Sequence, residues 1–130
     1  MASLATEAVV AKTSDNRYVT LRRSDGTVVC ERCFVADRSL ARMRGLLGRS
    51  ELPRDEGILI RPCNSIHMFF MRFPIDAIFL DRSGTVVKVV ENLKPWRMAA
   101  ARRAHIVIEL AAGEVKRRGI AAGDQITLAE

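Results

Sequence analysis

The chain is poor in the residues that most often announce a chemistry. Its 130 residues hold two histidines, His67 and His105, too few for a His-rich metal site. There is no glycine-rich phosphate loop, no GxSxG elbow and no HExxH pattern, which sets aside the common nucleotide-binding, serine-hydrolase and zincin signatures. No apolar run approaches the roughly 20 residues that a spanning helix needs. The opening MASLATEAVVAKTSDNRY has neither a basic start nor a continuous apolar stretch that would mark an export signal. These absences predict a soluble, cytoplasmic protein with no membrane span. Three cysteines, Cys30, Cys33 and Cys63, are an odd number without an export signal, so free thiols are expected rather than a disulfide framework.

Lysine is scarce as well, since of 21 basic residues only Lys12, Lys88, Lys94 and Lys116 are lysine. The net charge of +6 would attract polyanions such as nucleic acid or anionic lipid. An arginine bias also arises from a GC-rich genome, and no nucleic-acid-binding signature accompanies the charge.

What is present reads as one domain. With 48% hydrophobic and 28% charged residues, the chain is long enough to bury a single core. Residues 1–15 are small, polar and aperiodic and read as a flexible lead-in, leaving 16–130 as a single β-rich domain. RYVTLRRSDGTVVCERCFV places two β-rich runs around Ser24-Asp25-Gly26, a hairpin signal because Asp-Gly tolerates positive φ. DRSLARMRGLLGRSEL spaces Leu40, Met43, Leu46 and Leu47 as one amphipathic helix over about 38–49, with Asp37 as its cap. GILIRP and HMFFM read as buried strands, and IDAIFLDRSGTVVKVVE as two strands turning at Asp81 to Gly84. LKPWRMAAARR is a long basic loop, AHIVIEL a strand, GEVKRRG a helical turn near 113–118, and AGDQITL a turn and last strand with Ile126 and Leu128 inward. The expected fold is mainly β, a small barrel or sandwich with this limited helical decoration.

RMRGLLGR at Arg42 to Arg49, then HMFFMRFPIDAIFLDRSGTVVKVVE, then IVIELAAGEVKRRGIAAGDQITL resemble, in that order, the signature segments of domain-of-unknown-function family 192. The likeness runs from about Ala36 to the end. It implies a small, mainly β, barrel- or sandwich-like domain for which no activity has been established, and it brings no catalytic residues with it. Many members have Phe-Trp-Met, then Lys or Arg, Asn and Thr before a Pro-Leu-Asp segment. Here Phe69-Phe70-Met71-Arg72-Phe73 leads directly into Pro74-Ile75-Asp76, so that loop is shorter and lacks its Asn.

Several constellations could carry chemistry. Cys30, Cys33, Cys63 and His67 offer a Cys₃His set for tetrahedral zinc. Against it, CERC lies in an expected strand where an odd separation points the two thiols to opposite faces, and no cofactor is expected. Cys63 and His67 could form a nucleophile and base if a turn at Asn64-Ser65 folds them together, because four extended residues otherwise span about 13 Å. Met68, Phe69, Phe70 and Met71 read most simply as core, whereas an apolar pocket lined by His67, Met71 and Asp76 is the ligand-binding alternative. Asp76 shares strand parity with Ile78 and Leu80 and needs a partner or a hydrogen-bonded turn. Arg44, on the apolar side of the helix, is a candidate structural ion pair for it. Lys94, Trp96, Arg97, Arg102 and Arg103 crowd one loop, where a Trp among cations can stack a base and a solvated loop is the plainer reading. The leading expectation is a non-catalytic binding domain for a small molecule or protein partner. The alternative is an enzyme using Cys63 and His67, and the third is a basic module touching nucleic acid through 94–103.

Overall fold

A computed structural model describes residues 18–36 and 51–129. The expected lead-in 1–15, the amphipathic helix at about 38–49 and its Arg44 lie outside the described residues.

The first hairpin forms as its sequence dictates. Strands β1 (Tyr18–Arg23) and β2 (Val28–Ala36) are joined by a turn in which the Asp25 carboxylate accepts from both the backbone N–H and the hydroxyl of Thr27. One feature of β2 departs from simple alternation. Val19 pairs with Cys33 and Leu21 with Cys30, so Glu31 and Arg32 together oppose the single residue Thr20. This bulge takes up one residue of parity, and Cys30 and Cys33 both turn into the core, not to opposite faces as alternation predicts.

The remaining strands are β3 (Glu56–Ile60), β4 (Ser65–His67), β5 (Ile75–Leu80), β6 (Val86–Leu93), β7 (Met98–Ala100), β8 (Ile106–Ala111) and β9 (Ile126–Ala129). Seven of the nine described strands make one sheet in the order β6-β5-β8-β3-β2-β1-β9, antiparallel except for the parallel pair β2–β3. The sheet curls until its outer strands meet at one end. There the Val86 N–H reaches the Asp124 carbonyl, the Gly123 N–H reaches the Val86 carbonyl, and the Ile126 N–H reaches the Gly84 carbonyl. Gly84 is required at this seam, because its φ is 91° and a Cβ would sit 2.6 Å from the Ile126 carbonyl oxygen. The result is a curled half-barrel, mainly β, with one short helix α1 (Glu114–Arg118) among the described residues. No helix of the described residues is long and apolar enough to cross a membrane.

Side chains on the two faces of the sheet build two apolar clusters. Leu21, Val29, Cys30, Cys33, Ile78 and Ile108 belong to the first, with Val115 of α1 packed among them. Ile58, Ile66, Met68, Ile75, Phe79 and Val107 belong to the second. The run IDAIFL of β5 is buried at all six positions, which is why its sequence shows no alternation.

Two expectations need correction. HMFFM is not a strand, since β4 ends at His67 and the Met71 N–H closes a turn onto the Met68 carbonyl. The loop 94–103 is not wholly irregular, because Met98–Ala100 inside it form β7 and pair with β4 as a separate ribbon, His67 opposite Met98 and Ser65 opposite Ala100.

Candidate functional site

Asp76 is the most constrained polar residue of the sheet. Its carboxylate is 0% exposed and accepts three backbone N–H groups, from Asn92 at 2.8 Å, Gly113 at 3.0 Å and Val115 at 2.9 Å. Gly113 precedes α1 and offers no side-chain cap, so Asp76 of β5 supplies the acceptor that the helix start lacks. The Asn92 bond holds a residue whose φ is 54°. Strand parity correctly turns Asp76 toward the first cluster, and the backbone donors there occupy both oxygens. Met71 packs against the second cluster on the other side of the sheet, so Met71 and Asp76 of the expected set His67, Met71 and Asp76 do not meet in one pocket.

The opposite situation holds at the end of the β4–β7 ribbon. Backbone bonds stitch the two segments together: the Met68 N–H donates to the Arg97 carbonyl, and the Met68 carbonyl accepts from the N–H groups of Trp96 and Met71. Met68 itself is buried and anchors this junction in the second cluster. Around it the aromatic rings stand outward. The His67 imidazole stacks on Phe69 at 4.5 Å between centroids, Phe69 on Trp96 at 5.8 Å, and Phe70 leans on Trp96 at 4.9 Å and 59°. Phe69 is 38% exposed, Phe70 67%, Trp96 58% and Met98 67%, and these are the exposed large hydrophobic side chains among the described residues. Phe70 and Trp96 adopt φ of 67° and 71°, a left-handed conformation that is uncommon for residues with a Cβ and rarer still for bulky ones.

Phe69 and Phe70, expected in the core, therefore belong to the surface. The signal available in the sequence was Met-Phe-Phe-Met itself, four successive apolar side chains that a strand can hide only when both of its faces are covered. Met98 carried no signal, because its position follows from pairing with His67.

The basic residues divide between the two ends of the ribbon. Lys94 and Arg97 flank Trp96, and all three are exposed. Arg102 and Arg103 lie beyond the far end, where with Arg82, Ser83, Asp81 and His105 they line an open cleft of about 520 Å³. Partial burial holds the His105 imidazole below its ordinary value of 6.5, and the charges of Arg82 and Arg61 push the same way. The one acid of the cleft is already engaged, since Asp81 Oδ1 accepts from the Ser83 N–H, the Ser83 hydroxyl and the Thr85 N–H.

The three cysteines divide between the two clusters. Cys30 and Cys33 sit side by side in the first cluster, where burial pushes the Cys33 thiol well up, assisted by Cys30 and the charge of Glu109. Cys63 packs against the second cluster, so the Cys30, Cys33, Cys63 and His67 set is divided by the sheet. Among the described residues no group of three or more His, Cys, Asp or Glu is placed to hold a metal. The Cys63 thiol donates to the Ser65 carbonyl at 3.1 Å, and the His67 ring stacks on Phe69.

Comparison with known proteins sets this arrangement in context. The sequence pattern of the DUF192 family, described as an uncharacterised group, matches residues 19–128. A UPF0127 protein of Thermococcus sibiricus is 33% identical over 112 residues, which cover 82% of this chain and 71% of that protein. A UPF0127 protein of Pyrococcus abyssi is 37% identical over 98 residues, covering 71% of this chain and 81% of that one. Among solved structures, a Sinorhizobium meliloti protein provisionally described as a transcription regulator superposes with a TM-score of 0.73 at 27% identity, over 85% of this chain and 92% of that one. A protein of unknown function from Novosphingobium aromaticivorans superposes with a TM-score of 0.70 at 27% identity, over 84% and 82% of the two chains.

Proposed function

This chain belongs to the DUF192 family, and we propose that it is a non-catalytic binding domain, acting in the cytoplasm, whose contact surface is the aromatic end of the β4–β7 ribbon. The observation that carries this reading is the gathering of Phe69, Phe70, Trp96 and Met98 at one place, held outward on a hydrogen-bonded junction. Exposed apolar side chains gain little from folding, and Phe70 and Trp96 sit on left-handed backbone that residues with a Cβ rarely adopt. Strain kept at a surface is explained by what the surface contacts.

Replacing Phe70 and Trp96 by glycine tests this. Glycine adopts the same φ without penalty, so chemical denaturation of Phe70→Gly/Trp96→Gly should show stability unchanged or higher by up to about 1 kcal/mol. A loss of about 2 kcal/mol or more would make the rings a structural lid over the second cluster and end the reading.

A further inference from the structure

Resting on that reading, we infer that the occupant of the ribbon surface is a single-stranded nucleic acid, its bases stacking on the His67–Phe69–Trp96–Phe70 cluster and its phosphates running toward the Arg82, Arg102 and Arg103 cleft. The first support is charge. Residues 61–74 and 92–105, which make both strands of the ribbon and their flanks, contain no Asp or Glu, although the whole chain has 15. The same two segments carry Arg61, Arg72, Lys94, Arg97, Arg102 and Arg103. Two acid-free segments that the fold brings together, leading to a cleft whose one acid is Asp81, make an electrostatic track for a polyanion.

The second support is the form of the aromatic cluster. Successive rings lie within 30° and 28° of parallel, and the exposed faces of Phe70 and Trp96 are inclined at 59°, so a flat base can extend the stack or enter the notch. The third is the distance between the two features. Strand β7, three residues long and about 7 Å from Met98 to Ala100, separates the segment that carries Trp96 from the one that carries Arg102 and Arg103. A polymer of alternating flat bases and phosphates can reach both, whereas a protein partner would need matched acids and a compact small molecule would reach only one. An anionic lipid surface fits less well, because it would bring phosphates to the arginines but no flat bases to the rings.

The test is fluorescence anisotropy of a labelled 15-nucleotide oligo(dT) and its oligo(U) counterpart with the full-length protein between 50 and 300 mM salt. Emission from Trp96, the single tryptophan, is followed in parallel. The expected result is binding that quenches Trp96 and weakens steeply with salt. Trp96→Ala and Phe70→Ala should each weaken it at least about tenfold. Arg102→Glu/Arg103→Glu should weaken it similarly and flatten the salt slope. Absence of binding would overturn the inference. So would binding to heparin as tight as to the oligonucleotide and indifferent to the two aromatic changes, which would be charge attraction alone. Binding only to phosphatidylserine vesicles, or only to a protein, would also overturn it. These failures differ from failure of the broader reading, which is decided by the stability of the glycine double variant.

Discussion

The Asp76 corner and the β4–β7 ribbon lie on opposite faces of one sheet and handle exposed chemistry in opposite ways. At Asp76 a carboxylate is buried completely, and three backbone donors converge on it. At the ribbon, large apolar rings stay in solvent, and two strained residues are tolerated. The first region converts a polar group into structural order, since each donor would otherwise be stranded without a partner. The second withholds apolar area from the core. One fold thus spends polarity inside and hydrophobicity outside, and the exception at the surface is the one that points to function.

The comparison breaks first at Asp76. Asp76→Ala removes the acceptor from three N–H groups at once, two of them at the start of α1, and should cost about 3–5 kcal/mol in chemical denaturation. A loss below about 1 kcal/mol would mean that water replaces the carboxylate there and that the corner is not a structural anchor. Coupling between Arg44→Met and Asp76→Asn, read from the double variant, tests the ion pair expected from the sequence, and additivity within about 0.5 kcal/mol would exclude it. A larger coupling would establish the Arg44–Asp76 ion pair expected from the sequence.

Smaller in effect is the reactivity of the ribbon's thiol. The Cys63 S–H donates to the Ser65 carbonyl, a bond that only the protonated thiol can make. Alkylation of Cys63 at pH 7 in folded protein should therefore run about tenfold or more below an unhindered thiol, and His67→Ala should change the rate by less than about twofold. Fast labelling abolished by His67→Ala would promote the Cys63–His67 enzyme above the binding domain.

The smallest expected effect is on pH dependence. His105 is held below 6.5 in the folded chain, so the unfolded state takes up its proton more readily. The sign follows: stability attributable to His105 is fully present above 6.5 and declines as the pH falls through that value toward the lowered one. Occupation of the neighbouring arginine cleft by phosphate would oppose this, because an anion favours the imidazolium. NMR titration of His105 should show the depressed value, and added inorganic phosphate should raise it. A titration at or above 6.5 without phosphate would remove the partly desolvated, cationic environment described for the cleft.

Much of the architecture was legible beforehand, wherever a local rule had no competitor. Asp25-Gly26 marked the first hairpin, Asp81 to Gly84 the second, and Gly119 the end of α1, because each depends on backbone conformations available to few residue types. The run of β5, apolar at every position but Asp76, signalled burial on both faces, and the parity of Asp76 with Ile78 and Leu80 placed its carboxylate inward. Motif order alone pointed to the family to which the chain belongs.

Tertiary structure decided the rest. Whether Met68, Phe69, Phe70 and Met71 are core or surface depends on what covers the second face after His67. That is a question of where β7 arrives, roughly thirty residues later in the chain. The bulge opposite Thr20 reversed the expected division of Cys30 and Cys33, because one unpaired residue changes the parity of everything beyond it. The partners of Asp76 are backbone amides 16, 37 and 39 residues away, and backbone donors leave no mark on a sequence. Composition and local pattern determine which elements can form. Long-range pairing determines which of their side chains meet, and in this protein the candidate site consists of side chains that only such pairing brings together.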